Sequence, residues 1–246
     1  MREQIEILSI PVDVVTMHEA VDRIEQMTAH PGLHVVCTAN AEMIMCAREN
    51  PRLKEILQTA SLVVPDGAGA LWAAEKQGKS FPERVAGLDL AKALFQMATE
   101  KRIPIYCLGA APGVAAKAVE KLKEEYGEVP VVGIHDGYFD DIEEAKIVKE
   151  IEESGAKIVF VALGVPRQEI WIAEHLCHLS GVVGIGLGGS FDVISGNLVR
   201  APKWMQEARL EWLYRLCKQP SRVGRMMAIP KFMMAVKKDL KARREV

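Results

Sequence analysis

Short runs of apolar residues, rich in Val and Ile, alternate along the chain with longer stretches whose apolar positions recur at helical spacing. The runs are continuously apolar, which is typical of parallel strands that are buried on both faces. Seven strands are predicted, over Ile5–Ile10, Leu33–Cys37, Leu62–Val64, Ile103–Leu108, Val129–Ile134, Lys157–Leu163 and Val182–Leu187. Amphipathic stripes between them predict helices, most clearly over 17–27, 115–122 and 145–151. The alternation predicts an α/β fold with an open, mostly parallel sheet in Rossmann-like layers.

The end of the chain follows a different pattern, in which aromatic and apolar residues at helical spacing are mixed with Arg and Lys. Trp204, Ala208 and Trp212 illustrate this spacing, and Pro220 is predicted to begin a further helix. Because the charge changes sign near Arg200, we predict a domain boundary there. Residues 1–199 would form the α/β domain. Residues 200–246, called the C-terminal segment below, would form a basic, amphipathic helical appendage.

Composition narrows the class of protein. With 49% hydrophobic and 26% charged residues in a chain of 246, the make-up is globular rather than disordered, collagen-like or coiled-coil. No apolar run approaches the roughly 18 residues of a membrane-spanning helix, and the first four residues contain no signal-peptide core. The five cysteines form no CxxC pair, which favours reduced thiols in a cytosolic protein.

The formal net charge of −2 conceals a strong asymmetry. Residues 1–199 hold 18 Lys and Arg against 29 Asp and Glu, a charge of −11, whereas the C-terminal segment holds 13 against 4, a charge of +9. A segment that combines cations with Trp and Met favours binding to an anionic membrane surface. Nucleic acid is a poorer interpretation, because many apolar residues would then face water. A basic helix pair docked on the acidic body is a third interpretation.

Polar residues and glycines follow six of the predicted strands, at the edge where open α/β sheets bind their ligands. These turns are Thr38–Glu42, Pro65–Gly67, Gly109–Gly113, His135–Phe139, Gly164–Glu169 and Gly188–Asp192. Each turn alone needs such residues for its backbone conformation, but the six together predict a ligand crevice.

Several stretches carry candidate chemistry. The turn Gly109–Gly113 opens a helix, so it is either a diphosphate cradle or a plain strand-to-helix turn. Asp66 is either a general base or the side chain of an Asx turn. The run Gly184–Gly189 is similar to a dinucleotide-binding motif but lies mostly within a strand, which favours close backbone packing or approach to a ligand. Asp89 could cap a helix or pair with Arg84.

Metal and covalent chemistry find little support in the sequence. His175 and His178 lie about one helical turn apart without a third ligand nearby. Neither an Asp-x-Asp motif nor a GxSxG nucleophile elbow is present. Asp140 and Asp141 are adjacent and are predicted to begin a helix. We therefore expect neither a metal nor another cofactor.

Taken in order, the motifs resemble those of the WecG/TagA/CpsF family, glycosyltransferase family 26. The resemblance covers nearly the whole chain and lies in these stretches: Thr38–Glu42, Pro65–Gly67, Arg84 with Gly87 and Asp89, Leu108–Gly109, Gly137–Phe139, Leu163–Glu169, Gly188–Asp192, Arg200–Pro202 and Leu210–Leu216. One departure is Arg209, where the family usually has Gly before Leu-Glu-Trp.

The resemblance implies metal-independent, inverting transfer of a sugar from a UDP-activated donor to a polyprenyl-diphosphate-linked sugar. In the teichoic-acid branch of the family, N-acetylmannosamine passes from UDP-N-acetylmannosamine to undecaprenyl-diphosphate-N-acetylglucosamine, which forms the linkage disaccharide of wall teichoic acid. The enterobacterial branch uses a mannosaminuronic acid donor. The run from Ala201 to Gln206 is more similar to the teichoic-acid branch, which favours that reaction.

The resemblance also implies roles for individual residues. Asp66 would be the general base, and the sugar pocket would be lined by Thr38, Asn40, Arg84 and Gln168. The nucleotide side would include Gly109, Tyr138, Phe191 and Asp192. The diphosphate would be held by Arg215, Arg222 and Arg225, provided that the C-terminal segment folds over the crevice.

The resemblance and the charge pattern together predict a protein bound peripherally to the cytoplasmic face of the plasma membrane. Self-association could bury exposed apolar residues of the C-terminal segment away from the membrane. Two other classes stay open. A nucleotide-dependent oxidoreductase is supported by Gly184–Gly189, and a non-catalytic membrane or nucleic-acid adaptor is supported by the C-terminal segment alone.

Overall fold

The structure, a computed structural model, describes residues 2–218 and 223–243, without the side chains at positions 215, 223 and 225. The strands in these ranges are β1 Gln4–Ile7, β2 Ile10–Asp13, β3 Leu33–Ala39, β4 Leu62–Pro65, β5 Ile105–Gly109, β6 Val131–His135, β7 Ile158–Ala162 and β8 Val182–Gly186. The helices are α1 Met17–Ala29, α2 Ala41–Glu49, α3 Pro51–Thr59, α4 Gly67–Lys76, α5 Gly87–Lys101, α6 Val114–Tyr126, α7 Asp141–Glu153, α8 Arg167–His175, α9 Ser190–Ile194, α10 Lys203–Glu207, α11 Glu211–Lys218, α12 Val223–Met226 and α13 Ala228–Ala242.

Six of the strands form one parallel sheet in the order β4-β3-β8-β7-β5-β6. Helices flank both faces of this sheet, so the predicted α/β architecture is confirmed. The ends of these six strands differ from the predicted ends by at most two residues. The continuously apolar runs therefore identified the buried parallel strands correctly.

The first predicted strand, over Ile5–Ile10, is wrong. Two short strands, β1 and β2, form an antiparallel hairpin that is separate from the main sheet. The chain turns at Leu8 and Ser9, whose φ angles of 50° and 68° are left-handed and uncommon for these residue types. At the end of β2, the buried Asp13 carboxylate accepts the backbone N–H of Val63 at 2.8 Å. This hydrogen bond anchors the hairpin beside β4.

Alternate residues of the sheet face two different helical layers. On one face, Val36 and Phe160 pack in a cluster with α1, α5 and α6. On the other face, Cys37 packs with α2, α3 and α4, and Val161 packs with α7 and α8. The three layers leave the carboxyl edge of the sheet to the loops that follow the strands.

Side-chain caps begin several of the predicted helices. Thr16 accepts the backbone N–H of Glu19, and the Glu19 carboxylate accepts the backbone N–H of Thr16, which is a capping box for α1. Asp140 accepts the backbone N–H groups of Ile142 and Glu143 at 3.0 and 2.9 Å, so it caps α7 as predicted.

The C-terminal segment contains four helices, α10 to α13, within the described ranges. The first apolar residues of the segment have helical spacing, but they do not form one continuous helix, because the helical conformation is interrupted between α10 and α11. Arg209 lies at this break with a φ of 61°. The resemblance implies Gly at this position, and Gly adopts a left-handed conformation without the steric cost that a side chain brings.

The last helix of the C-terminal segment docks on the rest of the chain. Helix α13 packs against α2 and α4, and its Phe232 and Val236 are buried in one hydrophobic cluster with residues of the β1–β2 hairpin. This packing agrees with the docked-helix interpretation of the segment, and the domain boundary near Arg200 stays a prediction. Within residues 2–218 and 223–243, no helix combines the length and apolar character that crossing a membrane requires.

Candidate active site

A cavity of about 460 Å³, called the active-site cavity below, lies beyond the carboxyl ends of β3, β4, β7 and β8. These four strands are consecutive in the sheet, so the loops that follow them meet. The turns that follow β5 and β6 do not line the cavity, because these two strands form the far end of the sheet. The structure therefore brings together four of the six predicted turns.

The loop after β3 contributes two of the predicted polar residues. Thr38 lies near the carboxyl end of β3, where it pairs with β4, and it is 7% exposed. Asn40 caps α2, because its Oδ1 accepts the backbone N–H of Met43 at 3.0 Å. This cap engages the amide oxygen of Asn40, so the NH₂ group is the part of the side chain that suits a ligand in the cavity.

Asp66 follows β4 at the floor of the cavity. Its backbone N–H donates to the carbonyl oxygen of Ala39 at 2.9 Å, which joins the ends of β3 and β4. Although Asp66 precedes α4, its side chain does not cap that helix, so the Asx-turn interpretation is wrong. The Asp66 carboxylate instead lies 3.6 Å from Nε of Arg84.

Arg84 joins the loop after β4 to the C-terminal segment. Its Nη2 donates to the Glu211 carboxylate at 2.7 Å, and its Nε faces Asp66. The Arg84 side chain is largely buried, and its Nε lacks a hydrogen-bond acceptor among the described residues. A guanidinium between two carboxylates is held in a fixed position, and it keeps donor capacity for an anionic ligand.

Arg200 forms a second ion pair beside the first. Its Nη2 donates to Asp89 at 2.7 Å, and this hydrogen bond raises the pKa of the Arg200 guanidinium. Its Nε lies 3.9 Å from Glu211 and is also without a hydrogen-bond acceptor in the described part of the chain. Asp89 therefore pairs with Arg200 and not with Arg84, and Ala86 rather than Asp89 is the N-cap of α5. Both expectations for Asp89 are wrong.

Gln168 and Glu169 lie in the first turn of α8, where Gln168 lines the cavity and Glu169 lies behind it. Gln168 is 2% exposed, and its Oε1 accepts the backbone N–H groups of Gly164 and Gly188 at 3.1 and 3.0 Å. Its Nε2 donates to Oε1 of Glu169 at 2.7 Å. Burial raises the pKa of the fully buried Glu169 carboxyl to about 7, and the nearby charge of Glu42 contributes to this rise.

The glycines of β8 make room for side chains of α8. A Cβ atom on Gly186 would lie 2.3 Å from Nε2 of Gln168, and one on Gly184 would lie 2.3 Å from Cγ2 of Ile172. Both separations are too short for any side chain larger than hydrogen. The close-packing interpretation of the run 184–189 is therefore confirmed at these two glycines.

The C-terminal segment contributes apolar residues to the lining of the cavity. Trp212, Ile229, Phe232 and Met233 line the cavity from α11 and α13, and Trp72 lines it from α4. Phe232 is fully buried, whereas Trp212 and Met233 are partly exposed. The lining therefore offers surface both to charged and polar groups and to hydrocarbon.

The residues predicted for the nucleotide side lie outside the lining of the cavity. Gly109 ends β5, where a Cβ atom would lie 2.5 Å from the carbonyl oxygen of Ala162. Tyr138 is 72% exposed, and Phe191 is fully buried in the core. Asp192 lies half-buried in the short helix α9.

The side chains of the three arginines that were predicted to hold the diphosphate lie outside the part of the chain that the structure describes. Arg222 lies outside the described residues. Arg215 and Arg225 belong to α11 and α12, but their side chains lie outside the description. Their assignment to the diphosphate stays a prediction.

The two histidines that could have suggested a metal have other partners. Nε2 of His175 lies 3.6 Å from Glu144, and Nε2 of His178 lies 4.0 Å from Glu152. Within residues 2–218 and 223–243, no group of three or more His, Cys, Asp or Glu residues is arranged to hold a metal ion.

Sequence reasoning assigned no role to Glu169, Arg200, Glu211 or Trp72, all of which lie in or directly behind the cavity wall. The first three fall within stretches that carry the family resemblance, and this resemblance was the one sign in the sequence that these residues belong to the site. The partners of Arg200 and Glu211 lie too far away along the chain for spacing to reveal them: Asp89 is 111 positions from Arg200, and Arg84 is 127 positions from Glu211.

Comparison with known proteins identifies the family of the chain. The model of the Glycosyl transferase WecG/TagA/CpsF family matches residues 5–245, nearly the whole chain. The chain belongs to this family, and the resemblance found in its motifs is confirmed. The α/β fold and the cavity beyond its strands are thus those of a glycosyl transferase.

Two relatives carry the same, more particular name, N-acetylglucosaminyldiphosphoundecaprenol N-acetyl-beta-D-mannosaminyltransferase. The protein of Bacillus spizizenii is 39% identical over 207 residues, which cover 84% of this chain and 80% of the relative. The protein of Bacillus subtilis strain 168 is 37% identical over the same length and with the same coverage.

Proposed function

We propose that this protein transfers N-acetylmannosamine from UDP-N-acetylmannosamine to undecaprenyl-diphosphate-linked N-acetylglucosamine. The product would be the linkage disaccharide of wall teichoic acid. The names of both Bacillus relatives support the acceptor and the sugar. The observation that carries the proposal is one cavity lined both by the Asp66–Arg84 pair and by apolar side chains such as Trp212 and Met233.

Asp66 is the general base of the proposed reaction. Its carboxylate accepts the proton of the acceptor hydroxyl while that oxygen forms a bond to the anomeric carbon of the donor. The bond from this carbon to UDP breaks at the same time, and UDP leaves with the electron pair. Attack opposite the leaving group inverts the anomeric configuration. Thr38, Asn40 and Gln168 orient the sugar.

Cationic side chains stabilise the departing diphosphate in this mechanism. Arg84 and Arg200 both have a buried Nε–H without a hydrogen-bond acceptor in the described part of the chain. Both side chains line the cavity, and guanidinium groups suit phosphate oxygens, whose charge grows as the bond to the sugar breaks. Arg215, Arg222 and Arg225 are proposed to add further cations from the C-terminal segment.

The acceptor is a lipid, so we also propose that the protein binds peripherally to the anionic inner face of the plasma membrane. Helix α13 exposes Lys231, Lys237 and Lys238, and Met234 on the same helix is 63% exposed. Trp204 in α10 is equally exposed at 63%. Cations beside exposed apolar groups bind anionic lipid surfaces through charge and burial together.

The reaction is tested with the purified protein, undecaprenyl-diphosphate-N-acetylglucosamine and three donors in parallel. These donors are UDP-N-acetylmannosamine, UDP-N-acetylmannosaminuronic acid and UDP-N-acetylglucosamine, and the lipid product and released UDP are measured. We expect efficient transfer from the first donor alone. Transfer from the uronic acid instead would assign the chain to the other branch of the family, and no transfer from any donor would refute the proposal.

Membrane binding is tested by flotation with vesicles that contain phosphatidylglycerol. Reversing the charge of Lys231, Lys237 and Lys238 to Glu should release the protein from these vesicles. A matched control reverses three exposed lysines of the body, Lys123, Lys146 and Lys149. Equal binding by the two triple variants would contradict the assignment of α13 to the membrane.

A further inference from the structure

Glu169 is a fully buried carboxyl group that the proposed transfer reaction does not use. Its Oε1 accepts an N–H of Gln168, while its Oε2 is buried and has no hydrogen-bond partner among the described residues. Burying a carboxyl group with one unpaired oxygen is unfavourable, so the position calls for an explanation beyond packing. Its neighbour Gln168 lines the active-site cavity.

The hydrogen bonds around Gln168 permit only one orientation of its carboxamide. Its oxygen accepts two backbone N–H groups, from Gly164 and Gly188, and one of its own N–H groups donates to Glu169. If the amide were flipped, its NH₂ group would face two N–H donors and its oxygen would face a carboxyl acceptor. The observed orientation leaves the second N–H of Gln168 without a partner in the described part of the chain.

We infer that Glu169 is a positioning residue, which holds the Gln168 carboxamide so that this second N–H is presented to an oxygen of the bound sugar nucleotide. The inference rests on the proposed function, because it assigns the ligand of Gln168 to the donor. Glu169 itself does not touch the substrate. It acts through the one N–H that it accepts from Gln168.

The packing against β8 supports a positioning role. A Cβ atom on Gly186 would lie 2.3 Å from Nε2 of Gln168 and 2.7 Å from Oε1 of Glu169. The sheet therefore approaches the hydrogen-bonded pair as closely as a backbone can. A side chain at position 186 would therefore displace the pair, so the observed arrangement of Gln168 and Glu169 depends on this glycine.

Two substitutions at Glu169 separate positioning from packing. Glu169→Met keeps most of the volume but removes the acceptor, and we expect the KM for the donor to rise about tenfold with a smaller change in kcat. Glu169→Gln keeps an oxygen that can accept the same N–H, and its KM should stay within about threefold of wild type. Glu174→Gln, an exposed change on the same helix, is the control.

Active-site titration corrects all rates for the fraction of folded protein. A Glu169→Met protein with reduced folded fraction but unchanged KM would overturn the inference, because Glu169 would then be structural only. The same conclusion would follow if Glu169→Gln lost donor affinity as severely as Glu169→Met.

A double substitution tests whether Glu169 acts through Gln168. In a Gln168→Leu background the carboxamide is absent, so Glu169→Met should leave the already raised KM unchanged. If Glu169→Met raises the KM by the same factor in both backgrounds, the two residues act independently and the inference is wrong.

A third measurement does not depend on sugar transfer. The side-chain NH₂ resonances of ¹⁵N-labelled Gln168, assigned by their absence in Gln168→Leu, should exchange slowly in the wild type and at least about tenfold faster in Glu169→Met. Equal exchange in both proteins would overturn the inference. If the wild type transferred no sugar from any donor, the proposed function would fail while these resonances still decided the role of Glu169.

Discussion

Replacing Glu169 by Gln should also remove a pH-dependent penalty on the folded state. Burial raises the pKa of this carboxyl group from 4.5 to about 7. The folded protein thus holds the proton more tightly than the unfolded chain does. The resulting stabilisation is fully present below pH 4.5 and is lost as the pH rises through 7. Gln cannot titrate, so the variant lacks this loss.

The magnitude follows from the size of the pKa difference. One pKa unit corresponds to about 1.36 kcal/mol, so a rise from 4.5 to about 7 corresponds to about 3 kcal/mol over the whole titration. Most of this change falls between pH 5 and pH 8. For a chain of this length, the part of the change that falls between pH 5 and pH 8 corresponds to a difference of about 5 to 10 °C in Tm.

The groups that face Glu169 do not imitate this effect. The thiol of Cys37 on β3 has a pKa raised well above its usual value of 9.0, by burial and by the charge of Glu169. Burial likewise raises the pKa of Cys46 on α2. Both thiols stay protonated across the window. Glu42 on α2 is present in both the wild type and Glu169→Gln, so its own contribution to the pH dependence of stability is common to the two proteins.

The assay is calorimetry of the wild type and Glu169→Gln at pH 5 and pH 8. The wild type should lose about 5 to 10 °C more than the variant between the two values. Any constant cost of the substitution cancels in this comparison. Glu174→Gln, which alters an exposed carboxylate of the same helix, should follow the wild type. Parallel curves for wild type and Glu169→Gln would refute the reasoning.

Three further predictions concern the reaction and the C-terminal segment. Asp66→Asn should lower turnover at least about a hundredfold, while the affinity for UDP, measured by calorimetry, stays near that of wild type. A turnover equal to that of the exposed control Asp141→Asn would rule out Asp66 as the general base. Transfer should continue in EDTA, because arginines are proposed to hold the diphosphate, and loss of activity that Mg²⁺ restores would reveal a metal requirement. Phe232→Ala should cost about 3 to 5 kcal/mol in denaturation experiments, because a fully buried ring is removed from between α13 and the body; a cost no larger than that of the exposed Met234→Ala would contradict this packing.

The parallel sheet could be predicted because its strands are buried on both faces and therefore read as uninterrupted apolar runs. The N-terminal hairpin could not, because both residues of its turn, Leu8 and Ser9, have a positive φ, for which hairpins usually use Asn, Asp or Gly. The apolar run over 5–10 thus looked like a single strand. The left-handed conformation of these two residues depends on tertiary packing that the local pattern does not contain.

The site was predictable only in part, for a reason that lies in the strand order. The sequence places polar turns after six strands but does not reveal which strands are neighbours. The order β4-β3-β8-β7-β5-β6 separates the turn at Gly109 from the one at Asp66. The pairing of Arg84 with Glu211 likewise depends on the path of the whole chain. Single residues with obvious chemistry were found, whereas their partners required the structure.

The position of α13 has a consequence for the synthesis of the protein. The cavity is lined by residues from Thr38 to Met233, so it needs segments that are far apart along the chain. A ribosome makes the strands of the sheet long before α13 emerges, and nascent chains fold from the N-terminus. Until Phe232 arrives, the surface around Ala41 and Gly69, which it covers in the finished fold, lacks its partner. A chain that stopped before α13 would therefore carry the strands of the sheet but an unfinished cavity, so the binding site is complete only once α13 has been made.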